Sequence, residues 1–561
     1  MPFLSVINSH LWIAYSLILN GFLLSCLLSS HSAEYRDLIK KFEANIVACF
    51  FLSLAINGLC LVILFQFDLR IDYVKFVIPL LTFSLVFLCI LSGAWKNIKL
   101  KAILTLWGLV RIGTYGFVFL ILCYNGGLIE LIADSWYHLS LANKISEFST
   151  FSVDGHLNGV TEKNYPRLWH GNLALLHNLS GSSFPMLWNS VTAWIGVFKV
   201  MAFYLFTFGL SKSEKVAAIS IVLFVLLPGM GDSYLRVSAW PSHISYTAWF
   251  VLFFLTFQLF DRLSNSYGTE KKEIFQGSFV CKLVRQHKVH LITFVFVFCI
   301  VGLSHLAEIV WYTCGLLFYA IALIFCDTFM KGKIEFQEPA FQFLRIYMIC
   351  IFLAILLITV MNYSPLVLEG KTNIGVYLLI ALVVSITAAL LGSVYTPWKK
   401  AELFGVKVPK ILLFIFVVMV LMSVDVRQVI SLFIPHIGYK KSVINEAPLI
   451  LSGLLEGWGK LPSWHMQLRP GLLYVGVTAI ALSIPLAFFK PGRSSCFLLG
   501  NSVIPFIILV SPYFYTWFSD MLQYHSAWRV SLLIFHPIIL AYYISMSWDL
   551  IIGKKVHDVE V

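Results

Sequence analysis

The chain has 561 residues, of which 59% are hydrophobic and 12% charged, with a mean hydropathy of +0.85. A soluble chain carries about a quarter charged residues, so a cytosolic enzyme, a disordered chain and a secreted disulfide scaffold are excluded and a polytopic membrane protein remains. The 40 Lys and Arg against 28 Asp and Glu leave +12; in a membrane chain that excess reports orientation, and no nucleic-acid partner is expected.

Apolar windows bounded by charged or turn-rich segments fall at 11–30, 46–67, 73–93, 102–124, 186–210, 216–230, 243–260, 291–304, 309–326, 341–361, 374–395, 409–424, 471–489, 496–514 and 530–552. Together they predict an all-α, polytopic transmembrane helical bundle of about 13–15 spans. Several windows are short, notably 216–230, 291–304 and 409–424, as broken, tilted or re-entrant helices are. The expected organisation is one membrane domain, 1–561: N-terminal spans 1–124, an outer loop 125–185, central spans 186–424, a late outer loop 425–470 and C-terminal spans 471–561.

Alternate loops divide by charge. The segments 31–45, 94–101, 211–215, 261–290, 327–340 with Arg345, 396–410, 490–495 and 553–561 hold 25 of the 40 basic residues. The positive-inside rule places them in the cytoplasm, with the N-terminus, 125–185 and 425–470 outside. The first span reads as a signal-anchor rather than a cleaved leader, since no basic segment precedes it. The stretch 261–290 reads as a solvated surface facing lipid headgroups. None of the eleven cysteines lies in the two long outer loops and no CxxC occurs, so no disulfide framework is expected. No GxxxxGK[ST] is present, and no nucleotide cofactor is expected.

The outer loop 125–185 holds most of the candidate chemistry. It opens on Gly126-Gly127, then runs LIADSWYHLSLANKI. Asp134, Tyr137, His138, Leu141 and Ile145 follow i, i+3, i+4 spacing and share one face of a short helix at the membrane interface. Further on, YPRLWH carries Arg167 and His170 at i, i+3, with Pro166 disfavouring helix at Tyr165. Alone, Asp134 is a helix-start or ion-pair residue and each imidazole a packed, hydrogen-bonded one. Together in one loop of a charge-poor chain they point to a site.

The Asp, the polar aromatic helix DSWYH and the element YPRLWH, in that order in one outer loop, resemble polytopic glycosyltransferases of the GT-C superfamily. The nearest likeness is to the arabinofuranosyltransferase-like group that uses polyprenyl-phosphate sugars. The local match covers about 125–185; the rest agrees in architecture. The resemblance implies a lipid-phosphate-linked donor at the outer face, an inverting displacement, and a loop carboxylate as general base on the acceptor hydroxyl, the role that falls to Asp134 here. It implies a cell-envelope glycan or exported protein as acceptor and the outer face of a bacterial inner membrane as location. It leaves a divalent metal open, since some members need one. In many members the carboxylate loop follows the first span; here it follows the fourth, so the first three read as an N-terminal addition.

Later segments supply candidate donor-binding groups. GMGDSYLRVSAWPSH places Asp232, Arg236 and His243 between two spans, with Asp232 and Arg236 also spaced as a salt bridge. SHLAEIVWY places His305 and Glu308 one turn apart, either as two metal ligands or as a polar pair in a broken helix. GWGKLPSWHMQLRP interleaves Trp458 and Trp464 with Lys460, His465 and Arg469, as a phosphate and sugar site or as an aromatic belt with snorkelling cations. His525 and Arg529 precede the final span, where Arg529 needs a partner or an anion. Arg111 and Lys199 fall inside spans and read as structural pairing or snorkelling. An O-antigen polymerase or ligase using lipid-diphosphate glycans is the nearest alternative. A transporter or flippase would need an inverted repeat and midplane charge pairs, and neither is seen.

Overall fold

A computed structural model describes residues 2–94, 105–126, 135–151, 166–227, 239–267, 287–305, 307–329, 402–403, 406–407, 470–490, 492–510 and 527–551. The chain divides into two compact units. The first comprises Met1–Val222, Leu235–Val310 and Arg345–Ser385; the second comprises Leu223–Tyr234, Trp311–Leu344 and Ile386–Val561.

The first unit contains α1 (Pro2–Ala14), a π-helical turn (Tyr15–Leu19), α2 (Asn20–His31), α3 (Ala33–Leu38), α4 (Phe42–Gln66), a short turn Ile71–Tyr73 and α5 (Val74–Ser92). It continues through α6 (Leu106–Gly126), α7 (Ser135–Phe148), α8 (Leu168–Ser180), α9 (Phe184–Ser211), most of α10 (Glu214–Leu226), α11 (Pro241–Tyr267), α12 (Lys288–Ser304) and the first turn of α13 (Ala307–Phe329). Seven helical stretches among the described residues are long and apolar enough to cross a membrane, and four shorter apolar helices accompany them. Every window expected from the sequence has its helix, apart from 341–361, 374–395 and 409–424, which lie outside the described residues.

Burial separates the middle of this unit from its rim. The apolar window of α9 is 89% buried and that of α11 94%, against 28% for α5 and for α6. Large side chains such as Phe76, Leu80, Phe83 and Leu120 therefore point outward, where lipid is the only solvent that tolerates them in such number. The helices α9 and α11 run in the same direction: Phe203 meets Phe250 and Phe206 meets Phe253. The helix α12 runs against α11, with Ser245 Oγ donating to the Val301 carbonyl at 3.1 Å and His290 Nε2 to the Leu255 carbonyl at 2.7 Å.

The π-helical turn in the first span has a structural use. Such a turn breaks the regular i to i−4 ladder and frees backbone groups. Asn57 Nδ2 donates to the Ser16 carbonyl at 3.1 Å, and the Gly21 amide donates to Ser53 Oγ at 2.8 Å. Asn57 also donates to Asn172 Oδ1 at 3.0 Å, tying α4 to α8. Residue 21 has to be glycine, because a Cβ there would lie 1.8 Å from the Cys49 carbonyl oxygen.

Apart from this mid-span network, contacts made by loops and helix ends of the first unit fall into two groups. At one end lie Ser9 with Ser182 (2.9 Å) and the Ile71 amide with Ser149 Oγ (2.9 Å). At the other lie Lys212 with Asp261, Arg262 with Glu34, and the Arg111 cluster. This sorting matches the alternation of loops expected from the charge pattern. Arg111 was expected to pair structurally, and folding brings it two carboxylates. Its Nη1 donates to Glu43 Oε1 at 3.1 Å and to Tyr204 Oη at 2.7 Å, and its Nη2 lies 2.9 Å from Glu214 Oε1. The carboxylates come from neighbouring helices, a pairing that linear spacing does not reveal.

The loop 125–185 is less loop-like than expected. The residues of α8 from Leu168 to Leu176 are all buried, and α7 buries Ser135, His138, Leu139, Leu141, Ala142 and Ile145. Both helices pack on α4 and α5 through a cluster that includes Leu61, Ile71, Ile78, Ile145, Phe151 and Leu175. His138, Leu141 and Ile145 lie on the buried face that their spacing implied, while Tyr137 is half-buried and Trp136 exposed.

The second unit contains the rest of α13, a two-residue antiparallel pair (β1, Glu402–Leu403; β2, Val406–Lys407), α14 (Pro470–Phe489), α15 (Arg493–Val510), a 3-10 turn Ala527–Leu533 and α16 (His536–Ile551). Here α15 crosses α13 closely: a Cβ at Gly500 would lie 2.3 Å from the Phe318 carbonyl oxygen, and Asn501 Nδ2 donates to the Gly315 carbonyl at 3.1 Å. Tyr543 Oη donates to the Leu482 carbonyl at 2.8 Å, joining α16 to α14. The nine cysteines among the described residues are free.

Candidate functional site

The starts of α7, α8 and α11 are tied together at one end of the first unit, and His305, just before α13, is near enough to act on His138. Trp240, just before α11, donates its indole N–H to Ser135 Oγ at 3.0 Å, holding the first residue of α7. Trp169, in the first turn of α8, donates to the Ala239 carbonyl at 2.6 Å. The segment before α11 is thereby fastened to both helices of the 125–185 region.

The two imidazoles expected from that region form a direct pair. His138 Nδ1 and His170 Nε2 are 3.0 Å apart, and His170 Nδ1 is 3.2 Å from the Pro166 carbonyl. A carbonyl only accepts, so His170 carries its proton on Nδ1 and accepts at Nε2. His138 must then carry its proton on Nδ1 and present an unprotonated Nε2. Trp188 stacks on His138 with centroids 6.3 Å apart. Burial pulls the His138 pKa down to about 3, assisted by His305 and Arg167 nearby. Burial also holds His170 well below the usual imidazole range, with His138 and Arg167 adding to the effect and the Pro166 hydrogen bond opposing it. Both rings are neutral at physiological pH. They act as hydrogen-bonding groups; a base this weak does not deprotonate an alcohol.

Arg167 is 1% exposed and forms the N-cap of α8, so Pro166 stands just before the cap. His305 is the extended residue that ends α12, and its Nδ1 donates to Glu308 Oε2 in the first turn of α13. Glu308 is fully buried, and its position suits a carboxylate because the helix N-terminus is the positive end of the dipole. The polar-pair reading of these two residues therefore has a geometric basis. No group of three His, Cys, Asp or Glu that could hold a metal comes together among the described residues. The described donors do not complete a metal site.

Lys199 was expected to pair structurally or snorkel. It is 6% exposed, and its Nζ lies 3.4 Å from His243 Nδ1. Trp240 stacks on His243 at 5.6 Å, and the Lys199 ammonium sits 5.4 Å from the Tyr246 ring. A basic side chain on α9 thus joins the same end of the unit as Ser135 and Trp240. Sequence reasoning missed this because α11 starts alongside the middle of α9, a register set by packing.

Asp134 immediately precedes α7 in the chain but lies outside the described residues, as do Asp232, Arg236, Lys460, His465, Arg469 and His525. Arg529 lies in the 3-10 turn Ala527–Leu533 of the second unit, and its side chain is outside the described set.

No protein-family model matches the chain, and no curated protein does. Among solved structures, it is similar to the oligosaccharyltransferase AglB from Archaeoglobus fulgidus in complex with an inhibitory peptide and a dolichol-phosphate. Identity is 13% and the TM-score 0.44, over 79% of this chain and 52% of that one. The apo form of the Archaeoglobus fulgidus enzyme matches at 12% identity and a TM-score of 0.45, with the same coverage. The chain spans about half the length of these structures. What the sequence and the described residues support is a polytopic, all-α membrane protein with a buried polar cluster at one end of its first unit.

Proposed function

We propose that the protein is a membrane glycosyltransferase of the GT-C type, transferring a sugar from a polyprenyl-phosphate donor at the outer face. The acceptor is a cell-envelope glycan or exported protein hydroxyl, and the sugar is a pentofuranose such as arabinofuranose. The observation that carries the reading is the polar cluster itself. The starts of α7, α8, α11 and α13, each with about half a positive charge, lie with the buried basic side chains Arg167 and Lys199 and the buried carboxylate Glu308 at this end of the unit. That environment favours an anion such as the donor phosphate, whose charge grows as the sugar leaves.

In this reading Asp134 is the general base on the acceptor hydroxyl, and the phosphate departs as the hydroxyl oxygen attacks the anomeric carbon. His138, hydrogen-bonded to His170, holds the start of α7 against α8, the helix start that Asp134 immediately precedes in the chain. Lys199 and Arg167 stabilise the departing phosphate. Asp232, Arg236, Lys460, His465, Arg469, His525 and Arg529 remain candidates for donor binding.

Asp134→Asn tests the assignment. In membranes supplied with lipid-phosphate-linked pentose, turnover should fall by about 10²–10⁴-fold, the usual contribution of a general base, while protein level and donor retention are unchanged. Wild-type turnover by the variant would end the base assignment. Mass spectrometry of envelope glycans and exported proteins from cells lacking the protein should show a missing pentose; an intact glycan profile would remove the pentofuranose reading.

A further inference from the structure

The opposite, basic end of the first unit contains a cavity of about 330 Å³ between α2, α3, α4, α9, α11 and α12. That is the lower end of the range of about 300–1,000 Å³ seen for ligand cavities. Its wall is apolar, formed by side chains such as Val47, Phe51, Phe254 and Phe296. The polar groups on it are engaged locally. Tyr35 Oη pairs with Ser25 Oγ at 3.3 Å, Ser32 Oγ accepts the Tyr35 amide at 3.1 Å, and Thr293 Oγ1 donates to the Val289 carbonyl at 2.8 Å. A polar ligand would lose its water there without gaining partners. A wall of this kind suits hydrocarbon.

Two lining residues place the opening. Leu28 is 38% exposed and Ile292 65% exposed, while most of the wall is buried. Both lie on apolar helices, so the cavity opens sideways toward the lipid tails. Beside the lining residues Tyr35 and Val289, the Glu34 carboxylate accepts from the Val289 amide at 3.2 Å and the His290 amide at 3.1 Å. Arg262 lies 3.5 Å from the same carboxylate. Around this clamp Arg36, Lys40 and Lys288 are exposed, with Asp37 as the neighbouring exposed acid.

We infer that this cavity holds one acyl chain of an anionic glycerophospholipid from the leaflet on the basic side, its headgroup phosphate lying among Arg36, Lys40 and Lys288. The hydrocarbon wall selects the chain, the lateral opening admits it from the bilayer, and the exposed cations select the headgroup charge. The site lies at the end of the unit opposite the polar cluster and does not depend on the glycosyl-transfer reading.

The test uses the full chain in phosphatidylcholine nanodiscs doped with phosphatidylglycerol that carries a diazirine on one acyl chain. Photolysis and peptide mass spectrometry should place adducts on the cavity walls of α4 and α12. Unlabelled phosphatidylglycerol should compete severalfold better than phosphatidylcholine. Ala48→Trp, which fills the cavity, should reduce the adduct severalfold. Lys288→Glu alters only an exposed side chain; it should keep the adduct position and abolish the preference for the anionic lipid. Adducts elsewhere, an unchanged yield in Ala48→Trp, an unchanged preference in Lys288→Glu, or displacement by a polyprenyl phosphate but not by phosphatidylglycerol would each overturn the assignment.

Discussion

His138 and His170 stand 32 positions apart in sequence, and each is placed on a helix whose inner face excludes water. An imidazolium there would lose its hydration and face the nearby positive charge of Arg167, so both rings stay neutral. This has a consequence for stability. In the unfolded chain an imidazole takes up a proton near pH 6.5, while folded His138 resists until about 3 and His170 is also well depressed. Between those values the unfolded state binds more protons, so stability rises with pH across the window and falls as the solution is acidified below 6.5. Thermal melting in detergent should show a lower Tm at about pH 5 than at about pH 7. His138→Gln combined with His170→Asn should make that slope shallower; an unchanged slope would mean that other groups set it. The candidate residues were legible one by one, from residue type and position in a charge-poor chain. The hydrogen bond between them was not, because it depends on α7 and α8 packing face to face. The same holds for Lys199, whose neighbour His243 is 44 positions away.

At the scale of elements, hydrophobic windows located the helices well, because a chain in lipid must satisfy its backbone within each helix. Helix contacts are a different matter. Two backbones approach closely only where a side chain is absent, and the sequence contains 34 glycines with no mark on the ones that matter. Gly21 is one: a Cβ there would meet the Cys49 backbone. Gly113 on α6 is the contrast, since a Cβ added there would meet nothing within 4 Å. Gly21→Ala should therefore destabilise the unit by about 1–3 kcal/mol or more, as overpacking does. Gly113→Ala should be neutral or stabilising by up to about 1 kcal/mol. Melting curves of the two variants side by side would check this, and equal effects would contradict the close approach of α2 and α4. The π-helical turn before Gly21 was also invisible in the sequence, since its freed backbone groups are recognised only through Asn57 and Ser53 on another helix. The burial of α8 was missed for a related reason: a short helix in a polar-looking segment reads as a surface element until its neighbours are known.

For the molecule as a whole, the expected orientation rests on charge. Positive-inside counting puts the loops near Arg36 and Lys212 on one side and the turn at Arg70 on the other. The described contacts of the first unit sort the same way, with Ile71 joined to Ser149 at one end and Glu34 joined to the start of α12 at the other. An impermeant maleimide on intact cells should label Arg70→Cys in a cysteine-free background, and Arg36→Cys only after permeabilisation. The reverse pattern would invert the topology and move the polar cluster to the cytoplasmic side. Composition and periodicity alone determined that the chain is a helical membrane protein and where its described apolar helices run, because lipid imposes those features on every span separately. Only the tertiary structure decided which polar residues meet. The pairing of His138 with His170, of Lys199 with His243 and of Arg111 with Glu43 and Glu214 arises from helix register and close packing, and these depend on contacts between residues far apart in the chain.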